Sequence, residues 1–137
     1  MALTRSKIDR AGAALAKDSF RDVEEMVALE DVFDEYRKSH LEPLSETTLE
    51  LQAWLNEYGH DYYIAQRLKR KPQIIRKLNR LSVRLTQLQD IGGCRIIVEK
   101  NELVDQLVQF LKDKIERTDD LILARVTDYR EKGRDIT

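Results

Sequence analysis

The sequence predicts an α/β (α+β) fold in which a helical N-terminal segment precedes a mixed β-sheet flanked by helices. Three observations carry this. Apolar residues recur every three or four positions before residue 60, period-two runs of branched and aromatic residues alternate with helix-period runs after it, and no internal repeat interrupts that order. A length of 137 residues is that of a single domain with a real core.

Residues 1 to 17 carry few large apolar side chains, which predicts a fraying terminus. Val23, Met26, Leu29, Phe33 and Tyr36 then mark an amphipathic helix. Pro43 is expected to break it, and Ser45 to cap a second helix whose Leu51, Trp54, Leu55 and Tyr58 share one face, ending at Gly59. "DYYIAQRLK" reads as a strand with Ile64, Gln66 and Leu68 on one side and Ala65, Arg67 and Lys69 on the other. Pro72 suits the first position of a helix with an apolar stripe of Ile74, Ile75, Leu78 and Leu81 and a polar stripe of Gln73, Lys77, Arg80 and Arg84. "GCRIIVE" is a second strand, expected to be central and buried; Asn101 caps a helix through Leu103, Leu107, Leu111 and Ile115; "LILARVTDY" is a third strand. Three short strands leave an exposed sheet edge that must be covered, paired with another chain, or completed by further residues.

Charged residues make up 36% of the chain, well above the roughly 25% norm, and point to long polar-faced helices. No run approaches the ~18 apolar residues of a membrane span, and the first residues do not resemble a signal peptide, so no membrane association and a cytoplasmic location are expected. The lone Cys94 excludes an internal disulfide and, within "CRIIV", reads as a small buried hydrophobe.

A net charge of −1 argues against a polyanion binder in the large, but the charge is segregated. Residues 67 to 84 hold eight cations (Arg67, Lys69, Arg70, Lys71, Arg76, Lys77, Arg80, Arg84) and no carboxylate, whereas the first long helix is acidic. A run of this kind is commonly a solvated face. Here, however, Arg67 and Lys69 share a strand face just before a helix start, an arrangement suited to holding phosphates. Nucleic acid is the competing anion, although no recognition-helix, zinc or aromatic-platform motif lies beside these residues.

Asp90 precedes Gly92 and Gly93, which read as a tight turn of positive φ into the second strand. The aspartate is either a turn residue or, at a strand entry, a ligand for Mg²⁺ shared with substrate phosphates. Arg95 suits an ion pair or an anion contact. There is no G-x-x-x-x-G-K-[ST] loop and no cysteine cluster for zinc, and His40 and His60 lack partners at metal-ligand spacing.

Together "YIAQRLKRKPQIIRKL" and "LQDIGGCRIIV" resemble the synthetase domain of the RelA/SpoT family, enzymes that make the alarmones pppGpp and ppGpp. The family pattern R-x-K, Ser-Ile, Lys-Leu or Lys-Met, then Asp-x-x-Gly-x-Arg falls on Arg67, Lys69, Ile74, Lys77, Leu78, Asp90, Gly93 and Arg95, with Gln73 where the family commonly has serine. "RVTDYREKGRD", with Asp128, Tyr129, Lys132 and Arg134, is similar to the family's Asp-Tyr strand and the basic loop after it. The likeness runs from about residue 60 to the end, which implies a helical segment over 1–59 and, over 60–137, the N-terminal half of a nucleotidyltransferase-like synthetase domain.

The resemblance implies transfer of the β,γ-pyrophosphate of ATP to the ribose 3′-hydroxyl of GDP or GTP. Arg67, Lys69 and Lys77 would hold the adenine nucleotide and its phosphates, Asp90 would ligate Mg²⁺ and orient the hydroxyl, and Arg95 and Arg134 would support the site. Arg67, Lys69 and Asp90 are then the catalytic candidates. The family continues with a Gly-Tyr-x-x-x-His segment and a strand bearing a glutamate, neither of which this chain contains, so residues 1 to 137 alone are expected to show little transferase activity. A missing C-terminal half or a homo-oligomer is the partner this implies. Two other readings remain at this level: a related toxic synthetase that pyrophosphorylates the tRNA 3′ end, favoured by the extra cations Arg70, Lys71, Arg76, Arg80 and Arg84, and a non-catalytic RNA-binding or regulatory module.

Overall fold

The computed structural model describes residues 2–118 and Leu123. The chain is mixed helix and strand: α1 (Arg5–Lys17), α2 (Val23–Lys38), α3 (Leu41–Tyr58), β1 (Tyr63–Leu68), α4 (Lys71–Leu81), a 3₁₀ turn (Leu85–Gln87), β2 (Gly92–Ile97) and α5 (Asn101–Glu116). The third strand expected over "LILARVTDY", and with it Asp128, Tyr129, Lys132 and Arg134, lies outside the described residues. Among the described residues no helix is long and apolar enough to cross a membrane.

Two compact units form. The first joins residues up to Ala53 with Tyr63–Ile97 and contains the main core. That core gathers Ile8 and Ala11 from α1, Leu29, Val32 and Phe33 from α2, Ile74 and Leu78 from α4, and Leu85, Leu88 and Ile91 from the segment leading into β2. Phe33, Ile74, Leu85 and Ile91 are fully enclosed, each stabilising the fold by about 1.5–3 kcal/mol through removal from water. In the second unit Leu55 of α3 and Leu107 of α5 are buried, and the Tyr58 hydroxyl donates to the Leu103 carbonyl at 3.2 Å. There the Tyr58 ring lies 5.2 Å from that of Phe110, and Lys114 pairs with Glu57.

The expectation that residues 1 to 17 fray is wrong. Thr4 caps α1 by accepting from the Lys7 N–H at 3.2 Å, and Asp18 ends it in the left-handed region with φ 51°. The helix packs through small residues. Ala11 is wholly buried, and a Cβ on Gly12 would stand 2.7 Å from Leu85 Cβ, so backbone and core meet at a distance large side chains would forbid. Asp9 secures the contact: its Oδ1 accepts from the Thr86 N–H at 2.9 Å and from the Thr86 hydroxyl at 2.8 Å. A search for large apolar groups misses an interface made by small ones.

Pro43 does not break the helix, nor does Ser45 cap it. The break falls at Ser39 and His40, and Pro43 is the third residue of α3, where its missing N–H would have had no intrahelical acceptor. Ser45 instead uses its hydroxyl to accept from Gln66 Nε2 of β1 at 3.1 Å. Pro72 is the second residue of α4 rather than the first, and α4 stops at Ser82 with φ 52°, so Arg84 is not part of the helix stripe. Lys100 rather than Asn101 stands in the cap position of α5. Gly59 ends α3 as expected, with φ 81° and its N–H bonded to the Leu55 carbonyl.

β1 and β2 pair antiparallel, with Ala65 opposite Arg95, Arg67 opposite Gly93 and Leu68 opposite Gly92. Directly opposed residues point to the same side, so the ribbon has two unlike faces. Ile64, Gln66, Leu68, Gly92, Cys94 and Ile96 turn toward the first half of α3, where the Thr48 hydroxyl lies 2.9 Å from Cys94 Sγ. Tyr63, Ala65, Arg67, Gly93, Arg95 and Ile97 are exposed. β2 is therefore not buried on both sides, and among the described residues it pairs with β1 alone. Gly92 and Gly93 are strand residues without positive φ, so they make no tight turn. Cys94 is half-buried.

Gly12→Ala gives a signed test of the α1 contact. Alanine gains helix propensity of about 1 kcal/mol, but the new methyl meets an anchored Leu85 Cβ, and overpacking costs typically 1–3 kcal/mol. Urea unfolding should show net destabilisation, whereas Ala13→Gly on the exposed side of α1 should cost only the propensity difference.

Candidate functional site

The ladder runs one bond past β1. The Lys69 N–H donates to the Ile91 carbonyl at 2.7 Å, which sets Lys69 beside the residues entering β2. On the other side, Arg37 of α2 donates through Nε to the Lys69 carbonyl at 2.7 Å. Both backbone polar groups of Lys69 are satisfied, so the strand end has a defined position. α4 begins two residues later, and Lys77, seven residues along from Arg70, returns to the same place.

Lys69 and Lys77 meet on one carboxylate. Each ammonium donates to Asp90 Oδ2 at 2.6 Å, short bonds of the charge-assisted kind. The lysine side chains are 21% and 24% exposed and Asp90 is 44% exposed, so this is a solvent-facing cluster rather than a buried ion pair. Burial pushes the Asp90 carboxyl up, yet the hydrogen bonds from Lys69 and Lys77 and their two charges outweigh it and hold the carboxyl below its ordinary value.

Beside this cluster a cleft of about 360 Å³ is lined by Arg67, Lys69, Asp90, Gly93, Cys94 and Arg95, among others. Gly93 lies opposite Arg67, and a Cβ there would meet nothing within 4 Å, so the glycine leaves the floor between the two arginines open. Five of the six predicted site residues are thus brought together: Arg67, Lys69, Asp90 and Arg95 line the cleft, and Lys77 reaches its carboxylate. The sixth, Arg134, is outside the described residues.

The charge balance of the cleft is positive. Lys71 is drawn away to α2, 3.6 Å from Asp34, with its ammonium 5.5 Å from the centre of the Phe33 ring. Arg67, Arg70, Arg76, Arg80, Arg84 and Arg95 pair with no carboxylate among the described residues. Among the described residues, four cations (Arg67, Lys69, Lys77 and Arg95) therefore stand with one anion at the cleft, and a polyanion would meet a complementary field. Gln73, at the start of α4, accepts from Arg76 at 3.4 Å. His40 is engaged with the Tyr36 carbonyl at 2.9 Å, and the His60 ring lies 4.8 Å from that of Tyr58, tilted by 58°.

Among the described residues no group of three or more His, Cys, Asp or Glu converges as a metal cage. Asp90 Oδ2 is occupied by the lysines, while Oδ1 accepts no hydrogen bond among the described residues. One carboxylate oxygen with phosphate oxygens and water is a donor set that fits Mg²⁺, which rarely takes an all-protein cage. Arg37 and Thr48 escaped the sequence reading. Arg37 lies 32 residues from Lys69, and no periodicity links a helix side chain to a strand carbonyl that far away.

The sign of the Asp90 shift sets a pH test. A carboxylate whose folded pKa lies below its unfolded value of ~3.9 adds stability that is present above the unfolded value and lost as pH falls toward the folded one. Denaturant unfolding of Asp90→Asn should lose that acid limb, so that the gap in stability between wild type and variant is full above the unfolded value of ~3.9 and closes as pH falls through the folded one. No protein-family model matches the sequence and no curated protein matches it significantly, so the geometry of these side chains carries the functional reading.

Proposed function

We propose that the cleft beside Asp90 is the donor half of an ATP-dependent pyrophosphotransferase of the RelA/SpoT kind. Such an enzyme would move the β,γ-pyrophosphoryl group of ATP to the 3′-hydroxyl of a guanosine nucleotide. The observation that supports it is the meeting of Lys69 and Lys77 on Asp90 at one edge of a cleft that Arg67 and Arg95 also line. A solvated basic face does not require two lysines from different elements to converge on one atom of a single carboxylate.

In this reading, the transfer forms a bond from the acceptor 3′-oxygen to the β-phosphorus, breaks that phosphorus from the oxygen of the departing AMP, and releases the hydroxyl proton to solvent. Catalysis by position and charge suits such chemistry, since the transition state spreads negative charge over the phosphoryl oxygens. Lys69 and Lys77 would bind those oxygens as point charges, while Arg67 and Arg95 offer planar forks on the open face of the ribbon. The Lys69–Ile91 and Arg37–Lys69 bonds hold the first lysine against strand movement. Mg²⁺, when bound with the triphosphate, supplies neutralisation of its oxygens, and Asp90 is the residue that would hold it.

A second reading has its own support. Arg70, Arg76, Arg80 and Arg84 are exposed and unpaired by carboxylates among the described residues, which favours a longer polyanionic acceptor such as the tRNA 3′ end. Offering GDP, GTP and tRNA as acceptors of label from ATP separates the two.

Calorimetric titration with Mg²⁺-ATP tests the shared part. Lys69→Met and Lys77→Met should each weaken binding roughly tenfold, the size expected for one hydrogen bond to a charged group. Salt-sensitive RNA binding without Mg²⁺-ATP affinity, unchanged by Asp90→Asn, would overturn the transferase reading in favour of a non-catalytic RNA-binding module.

A further inference from the structure

The Asp90 cluster holds a contradiction when its two partners are considered together. A divalent cation and two ammonium groups compete for one carboxylate, and like charges around it repel. With both Nζ atoms 2.6 Å from Oδ2, the carboxylate is already compensated, so a divalent ion arriving alone meets two fixed cations. A polyphosphate arriving alone meets lysines that are already occupied. Arg67 and Arg95, unpaired with any carboxylate among the described residues, remain available on the same cleft as a first contact for the anion.

We propose that Asp90 is an internal counter-ion that polyphosphate displaces, so that anion and divalent cation load together. The two lysines pass from carboxylate to phosphate, and the released carboxylate becomes able to accept the cation. This deepens the proposed function and rests on its polyphosphate ligand. Lysine suits the exchange: its ammonium is a compact charge on a flexible four-carbon stem, whereas an arginine fork would hold the carboxylate in fixed bidentate geometry. Lys69 and Lys77 remain partly exposed, so they can swing without opening the core. Coupling of this kind is reciprocal: an anion that favours the cation is favoured by it to the same degree.

The exchange makes a prediction whose sign differs from that of a simple scaffold. Calorimetry with inorganic tripolyphosphate in excess EDTA removes metal from the comparison. Asp90→Asn should then bind tripolyphosphate roughly fivefold more tightly than wild type, since two competing solvent-facing ion pairs, together about 1 kcal/mol, are gone. In saturating Mg²⁺ the order should reverse. Equal or weaker metal-free binding by Asp90→Asn would overturn the proposal, because the carboxylate would then merely orient the lysines. The isosteric change at a 44%-exposed side chain preserves the fold, which circular dichroism checks.

A second measurement uses the metal alone. Mn²⁺ without anion should bind the Lys69→Met/Lys77→Met double variant more tightly than wild type, and equal affinity for both proteins would also overturn the exchange. Failure of wild type to bind tripolyphosphate with or without Mg²⁺ would instead remove the polyphosphate reading of the cleft, a distinct outcome.

Discussion

The backbone of Lys69 is the constraint on which the site depends. Its N–H is held by the Ile91 carbonyl and its C=O by Arg37 Nε, both at 2.7 Å, so the last residue of the β1 ladder is clamped between β2 and α2. The first bond sets strand register at the point where the chain enters β2, and a slip of one residue would turn every side chain to the opposite face. Lys69 then would not stand beside Asp90, and Arg67 would point toward α3 rather than across Gly93. The second bond ties that register to the helical layer.

From this clamp the two-faced character of the ribbon follows. One face is covered by the first half of α3, through Leu44 near Gly92, Ser45 bonded to Gln66 and Thr48 at Cys94. The other carries Arg67 and Arg95 with a glycine between them. Covering a strand on one side and leaving cations on the other is how an antiparallel ribbon separates packing from binding. The core beneath is closed by α1, whose alanine and glycine surface lets Leu85 approach its backbone and whose Asp9 satisfies the 3₁₀ turn. That turn leads the chain through Leu88 and Ile91, both buried, and presents Asp90 between them.

The charge segregation visible along the chain acquires a physical explanation in the fold. Acidic α2 takes up Lys71 through Glu30 and Asp34, and Asp90 takes up Lys69 and Lys77. Within residues 67 to 84, what is left without a carboxylate among the described residues is arginine, the cation that is more weakly hydrated than lysine and does not lose its proton. A nearly neutral molecule thereby keeps a local positive field at one cleft.

Much of this was legible in the residues themselves. The class of fold, the helices at 23–38 and 101–116 and both described strands follow from apolar period and side-chain alternation, which are local properties of the chain, whereas β1 ends at Leu68 and leaves Lys69 just past the strand face it was expected to share with Arg67. Helix ends were less legible, because a proline in the first turn and a proline that stops a helix have the same local spelling; Pro43 shows the difference depends on where the preceding turn lies. The ordering of α1, the role of Gly92 and Gly93, the support of Lys69 by Arg37 and the meeting of two lysines on Asp90 Oδ2 were decided only by tertiary structure. Each depends on the distance between groups far apart in the chain, and a sequence states residue types and spacing while contact distance is set by how the elements pack.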